Sequence, residues 1–372
     1  MKETKMDTDK VVIITSVFPV GIDATAGMFV EKLAKFLNIS HDVQILLTAN
    51  QFSFFKYARL KKERGLHTAF SLTILPYISF GLPRYLKAVP QVLSALFFAL
   101  FVISSESKTT YYGKFLFGAV LSVLLAKCKG GRSFGDFGES DFTRSASYYP
   151  KFLLSYVLKN LDCAICLNEH IFKEVTDLRG NTNGVSLLRN ATDLELFAPL
   201  YSTAYRPEKL SCLFVGHFID RKGVDEASTA ILRAGNLGVF IGSGSRRPCG
   251  AHILKADTVN HYKLYSYYQN ADVFVFPSYN EGSPNALIEA ISSGLPVVGW
   301  DLPFMREHTD KSFSILVSPG DVEGLSNAIR YICDNPDLHF KMKVSARNYA
   351  LANFSVVERN RRILDIIKGV KG

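Results

Sequence analysis

Apolar runs and amphipathic stretches alternate along the chain. Residues 11–19, VVIITSVFP, read as a strand ending in a loop. In 27–40, GMFVEKLAKFLNIS, the residues Phe29, Leu33, Phe36 and Leu37 fall on one helical face. DVQILLT follows as a second strand, so the chain opens as β-loop-α-β, the start of a parallel sheet with crossover helices. Strand-like runs recur at 72–77, at FALFVIS (98–104) and at CAICLN (163–168). Helical runs recur at 111–128 and 148–160.

The pattern then restarts. KLSCLFVGHF (209–218) and GVFIGSGS (238–245) each read as a strand with a glycine turn. ADVFVFPS (271–278), LPVVGW and FSILVS (313–318) complete a second parallel set, with helices at 257–270, 284–293 and 321–334. Two doubly wound α/β domains are expected, with the Pro and polar residues around 199–208 as linker. The predicted division is 1–200, 201–355 and a last helix in 356–372. Ligands of such sheets sit beyond the carboxyl ends of the strands.

Composition narrows this picture. The 372 residues are 48% hydrophobic and 21% charged, which excludes a disordered chain and suits two domains. The net charge is +9, and residues 1–195 hold 23 Lys and Arg against 17 Asp and Glu. A basic half favours an anionic partner: nucleic acid, a membrane surface or a phosphorylated substrate. Of six cysteines only Cys163 and Cys166 are close; no second pair follows at zinc spacing, so they read as core thiols of a reducing compartment. The polar tail MKETKMDTDK lacks an apolar signal region, and a cytoplasmic protein is expected. The most apolar run, 89–103, is shorter than the ~20 residues a membrane span needs, and reads as a buried helix running into a strand, or as a membrane-dipping segment. Residues 51–65 interleave Phe52, Phe54, Phe55 and Tyr57 with Lys56, Arg59, Lys61, Lys62 and Arg64. This suits an interfacial segment on anionic lipid, single-stranded nucleic acid, or an ordinary solvated basic helix.

The stretch FPSYNEGSPNALIEAISSGLPVV, 276–298, carries the sharpest chemical signal. Ser283 suits an N-cap, Pro284 the first helical position and Gly294 the C-terminal stop. Glu281 then stands in the turn, and Glu289 lies inside the helix on a face with Asn285, Ser292 and Ser293. Two acids so placed could grip two hydroxyl-bearing groups of one ligand while the helix start meets a polar or anionic part. A solvated face with a stray loop acid has the same spacing.

This stretch resembles the E-x7-E motif of the retaining group 1 glycosyltransferases (family 4), which have the GT-B fold. LFVGHFIDRKGVD (213–225) resembles that family's V-G…K-G turn, with His217 where Arg is frequent, and GSGS (242–245) its G-x-G strand end. LLRNATDLELFAP (187–199) resembles the segment near its domain junction, with Asn190 and Asp193 as turn residues. In FSILVSPGDVEGLSNAI, Asp321 is expected to be an N-cap. The resemblance implies two Rossmann-like domains facing across a cleft, with the last helix crossing back onto the first. It implies transfer of a hexose from a nucleotide sugar to a glycan or lipid-linked oligosaccharide, with retention, in cell-envelope polysaccharide synthesis. It implies that Arg221 and Lys222 bind the donor diphosphate and that Glu281 contacts the donor sugar. Glu289 would take the ribose hydroxyls, and Gly216, Ser283, Pro284, Asn285, Ala286 and Gly27 would line the donor. No cofactor, metal or nucleic acid is implied, and contact with an anionic membrane would be peripheral. Asp7-Thr8-Asp9 has the form of a metal motif of another glycosyltransferase fold but lies in the polar tail. Where many members have His-Gly after a mid-domain strand, this chain has Phe137-Gly138, so Glu139 or Asp141 is the acceptor-side candidate. A non-catalytic donor-binding subunit and a sugar phosphorylase are the competing readings.

Overall fold

The structure is a computed structural model. It describes residues 9–18, 27–50, 53–55, 71–77, 88–104, 108–139, 142–200, 209–250, 252–256 and 259–369. The chain forms two compact units, residues 1–188 with 360–372, and 189–359.

The first unit holds a seven-stranded parallel sheet of order β3-β2-β1-β4-β5-β6-β7. Its strands are β1 (Lys10–Thr15), β2 (Asp42–Asn50), β3 (Ser71–Tyr77), β4 (Thr110–Lys114), β5 (Arg132–Phe137), β6 (Cys163–Cys166) and β7 (Val185–Leu187). Every residue of β1 and β4 is buried, as expected for central strands covered on both faces. The second unit repeats the order in six parallel strands, β10-β9-β8-β11-β12-β13. These are β8 (Ser211–Val215), β9 (Leu237–Ile241), β10 (Ile253–Ala256), β11 (Val273–Phe276), β12 (Val297–Trp300) and β13 (Ser314–Val317). In both sheets the strand order reverses beside the first strand, between β1 and β4 and between β8 and β11. That reversal opens a crevice at the carboxyl ends of the two strands.

Several expectations change. Residues 98–104 do not form a strand: Ala88–Val102 is one helix. The small residues Ala88, Ala95 and Ala99, with Val92, form its buried stripe, while Phe97 and Phe101 are 58% and 77% exposed. Size inverts the usual pattern, because alanines permit close packing on β3 and on the helix Phe115–Lys129. Residues 111–114 are strand, not helix. The chain turns abruptly there: a Cβ on Gly113 would lie 2.2 Å from the Gly118 carbonyl carbon, and Phe115 takes φ 61. The units divide at 188/189 rather than 200/201. Phe197 is buried in the second unit's core, Gln269 Nε2 donates to Ala198 O (2.8 Å), and Arg347 Nη2 donates to Leu194 O (3.0 Å). The last helix, Val356–Lys368, enters the first unit from residue 360, with Ile363 and Ile367 in that unit's core. Cys163 and Cys166 are buried free thiols in β6. The basic segment 51–65, apart from 53–55, lies outside the described residues.

One ion pair is buried inside the first unit. Lys114 Nζ lies 2.8 Å from Asp136 Oδ1, both side chains under 5% exposed, and Tyr112 donates its hydroxyl to Asp136 Oδ2 at 2.5 Å. Removing one partner strands the other charge. Asp136→Ala is expected to lower unfolding stability by about 3–5 kcal/mol in urea titration, and Lys114→Met with Asp136→Leu by less than either single change. Additive losses in the double variant would contradict this coupling.

Candidate functional site

The crevice of the second sheet is bounded by residues 216–223 after β8 and 277–284 after β11. These two loops are locked together. Gly223 takes φ 68, and a Cβ there would lie 2.2 Å from Pro277 O. Arg221 O accepts from Tyr279 N (2.9 Å) and from Ser278 Oγ (3.3 Å). The lock sets the side chains. Lys222 Nζ is bound to Glu281 Oε1, which also accepts from Ser278 Oγ at 2.7 Å. Arg221 Nη1 lies 3.7 Å from the same oxygen and donates to Asn280 O at 2.9 Å. Glu281 and Lys222 are 9% and 13% exposed, whereas Arg221 is 43% exposed. The structure therefore brings together the three residues singled out for the diphosphate and donor sugar.

The helix after this loop spans Asn285–Ser292, with Pro284 at the N-cap position and no side-chain cap. Ser283 is not the cap. Its Oγ accepts from Asn190 N (3.1 Å) and contacts His308 Nε2 (3.3 Å), while Asn190 Nδ2 donates to Ser283 O and Asn285 Oδ1, both at 3.1 Å. His308 Nδ1 lies 2.8 Å from Phe304 O, a carbonyl that can only accept. Nδ1 therefore carries the proton, and Nε2 accepts from the Ser283 hydroxyl. His308 is fully buried, which pushes its pKa down to about 4, with Arg189 adding to the shift. Asn190, in the segment that resembles the family's junction motif, thus exceeds its expected turn role; His308 was missed, and no motif marks it. Asp193 does make a turn, accepting from Leu196 N (3.1 Å), and Asp321 caps its helix through Gly324 N (2.8 Å). Gly294 follows the helix at φ 73, as expected of a stop.

Glu289 is not on a solvated face. It is 6% exposed, and Tyr268 donates its hydroxyl to Oε2 at 3.0 Å. Burial and this carboxylate raise the Tyr268 pKa, keeping it a donor. Tyr268 also reaches Ala286 O at 3.3 Å. A Cβ on Gly216 would stand in ordinary contact with the Phe214 ring, 3.7 Å away. The 242–245 loop packs beside it: Phe218 N donates to Ser243 O (2.9 Å), and a Cβ on Gly242 would lie 1.9 Å from Gly216 O. His217 is exposed. In the first unit Gly27 opens the helix Met28–Leu37 at φ 84, against Phe18. Glu139 follows β5 and is half-buried. Phe137 faces the core, edge-on to Phe142 at 5.4 Å. Asp141 and Asp7-Thr8 lie outside the described residues. Among the described residues no cluster of three or more His, Cys, Asp or Glu is arranged to hold a metal.

Residues 209–335 match the profile of the family described as glycosyl transferases group 1. Among curated proteins, the chain is 28% identical over 224 residues to the lipopolysaccharide core biosynthesis glycosyltransferase LpsE of Rhizobium meliloti (strain 1021), covering 54% of this chain and 62% of that one. It is 26% identical over 254 residues to the UDP-Gal:alpha-D-GlcNAc-diphosphoundecaprenol alpha-1,3-galactosyltransferase of Escherichia coli, covering 61% and 65%. The chain spans less than two thirds of the length of each. Among solved structures, Anabaena Alr3699/HepE in complex with UDP aligns with TM-score 0.72 over 97% of this chain and 100% of that one, at 13% identity. The fold is GT-B.

The buried histidine carries a pH signature. Between pH 6.5 and 4 the unfolded chain takes up a proton that native His308 refuses, so stability falls as pH falls through that window. His308 accounts for about 3 kcal/mol of that loss. His308→Asn is expected to show a shallower decline in urea midpoint from pH 7 to 4.5 than the parent chain; parallel declines would refute the assignment.

Proposed function

We propose that this chain, whose residues 209–335 match the group 1 glycosyl transferases, transfers a hexose from a nucleotide sugar to a glycan or lipid-linked oligosaccharide acceptor. The observation that carries the reading is the convergence of Arg221, Lys222 and Glu281 at the carboxyl ends of β8 and β11. The donor's leaving group departs as a diphosphate, and fixed cations beside it lower the barrier by meeting charge as it develops. Lys222 supplies a desolvated point charge and Arg221 a more exposed planar fork. The uncapped start of the helix Asn285–Ser292 offers backbone N–H groups to the same anion. Glu281 orients the donor sugar through its hydroxyls, and Glu289, with one oxygen on Tyr268, takes the ribose. Gly216, at the end of β8, and Gly27, at the start of the helix Met28–Leu37, line the donor in this reading.

The reaction retains configuration, as in family 4: the diphosphate leaves through an oxocarbenium-like state and the acceptor hydroxyl attacks from the same face. No metal step enters, because Arg221 and Lys222 take the leaving-group charge. The names of LpsE and of the E. coli relative support an acceptor of the cell envelope, and the UDP complex of HepE supports a nucleotide donor. The protein works in the cytoplasm with peripheral contact on an anionic membrane. Leu93, Phe97 and Phe101, exposed on the helix Ala88–Val102, support that contact. No described helix is long and apolar enough to cross a membrane.

Release of nucleoside diphosphate from a panel of nucleotide sugars, with envelope glycan extract as acceptor, tests the reading. Lys222→Ala is expected to lower kcat/KM about a hundredfold or more, and Glu289→Gln to weaken donor binding about tenfold. A non-catalytic binding subunit, the reading favoured by Phe137 in place of His, would release no diphosphate with any extract. Turnover that needs inorganic phosphate instead of nucleotide would mark a phosphorylase. For the membrane contact, the parent chain is expected to co-sediment with phosphatidylglycerol vesicles and the double variant Phe97→Ser, Phe101→Ser to lose most of that binding; equal sedimentation would remove this helix from the contact.

A further inference from the structure

The helix Asn285–Ser292 starts without the cap its sequence provides. Ser283 followed by Pro284 is the ordinary pairing of a cap with the first helical residue, the serine oxygen accepting from the N–H two or three positions on, here Asn285 or Ala286. Instead Pro284 is extended, at φ −78 and ψ 105, and the helix begins one residue late with no side chain capping it. The backbone bond from Ile288 N ends on Pro284 O at 3.1 Å.

Two residues hold the cap away. Ser283 Oγ donates to His308 Nε2 at 3.3 Å and accepts from Asn190 N at 3.1 Å. Asn190 Nδ2 donates to Ser283 O at 3.1 Å, the carbonyl that Leu287 N would reach were Ser283 the cap. Both groups that Ser283 would use in capping are thus engaged elsewhere. The holders are themselves fixed. His308 is fully buried, with Nδ1 2.8 Å from Phe304 O and its ring stacked on Phe354, centroids 6.3 Å apart. Burial keeps the imidazole neutral, so Nε2 stays an acceptor. Two residues after Asn190, Thr192 N donates to Phe354 O at 2.9 Å and Thr192 O accepts from Val356 N at 3.0 Å. Residues 354–356 therefore brace both holders.

A helix that gives up an available cap loses stability. Departures of this kind from local preference concentrate at functional sites. A serine oxygen over the first-turn N–H groups would also occupy the place where an anion binds. We propose that His308 and Asn190 withhold the Ser283 cap, so that the N–H groups of Asn285 and Ala286 stay open to the donor's diphosphate. His308 is then a positioning residue that acts through Ser283. That the anion is a diphosphate rests on the transferase reading; the withheld cap rests on the helix start alone.

Amide hydrogen exchange at Asn285 and Ala286, read by NMR on the full chain without ligand, tests the withheld cap. His308→Asn keeps a donor for Phe304 O but is too short to hold Ser283. Exchange at one or both amides is expected to slow about fivefold as the Ser283 oxygen swings onto them. Ser283→Ala in the same background is expected to restore the parent rate. His308→Gln, which returns an acceptor near the Nε2 position, is expected to exchange like the parent chain. Ser283→Ala alone is expected to leave both amides at the parent rate, an arm that decides even where His308→Asn does not fold. Titration with UDP reads the consequence: binding about fivefold weaker in His308→Asn and at least partly recovered in the double variant. A double variant that binds UDP no better than His308→Asn would overturn the positioning role. The proposal also falls if exchange does not slow in His308→Asn, if the double variant does not restore it, or if Ser283→Ala alone speeds it. The expected exchange pattern in a chain that binds neither UDP nor inorganic pyrophosphate would sink the transferase reading and leave the withheld cap standing.

Discussion

The lock between residues 220–223 and 277–281 is the constraint on which the second unit's chemistry depends. Gly223 must lack a Cβ because Pro277 O occupies its place, and Arg221 must give its carbonyl to Tyr279 and Ser278. Only with the two loops in that contact do a lysine after β8 and a glutamate after β11 reach each other, although 59 positions separate them. The resulting pair is not explained by stability. Desolvating two charges costs several kcal/mol, and a well-packed apolar pair of similar size does as well or better. An exposed pair at a turn would contribute less than about 1 kcal/mol. A largely buried cation and anion at the crevice, with Arg221 beside them in solvent, is consistent with the donor proposed above, which carries both negative charge and hydroxyls.

The same topology is used twice with different electrostatics. In the first unit the cation at the end of β4, Lys114, is withdrawn from solvent and neutralised by Asp136. What remains at that crevice is the Glu139 carboxyl, whose second oxygen is unanswered, among aromatic rings. In the second unit Lys222 is likewise paired, with Glu281, but Arg221 beside it stays 43% exposed.

Much of this was legible in the sequence, for physical reasons. Parallel strands buried on both faces are continuous apolar runs, so β1, β2, β6, β8, β11, β12 and β13 stand out, and glycine turns mark the sheet ends. Glu281 and Glu289 could be placed on a turn and a helix because Gly294 marks the stop of the helix Asn285–Ser292, although the cap expected at Ser283 is not one; Arg221 and Lys222 stood out only through the resemblance of their turn. The failures also have causes. In 98–104 the period is hidden because the helix is apolar on every side and packs through its alanines. In 111–114 an aromatic strand runs directly into a helix with no polar break, the turn being made by Gly113 and by strain at Phe115. The boundary lies earlier than expected because Pro and polar residues mark the 199–208 stretch, whereas Phe197, just before it, decides which core the segment joins.

Distance along the chain is what hid the supports of the site. Asn190 stands 93 positions before Ser283, and His308 stands 25 after it. No spacing rule connects them; the connection exists only through the tertiary fold. Yet their order of donation is fixed by elementary valence. Phe304 O can only accept, so His308 donates from Nδ1. Nε2 then can only accept, so Ser283 must donate to it, and the remaining lone pairs of Ser283 Oγ face Asn190 N. Asn190 Nδ2 in turn spans Ser283 O and Asn285 Oδ1. Each member has one role left once its neighbour is set, so the loop carrying Glu281 and the helix start cannot drift without breaking one of these bonds. That is how residues far from the ion pair hold its geometry.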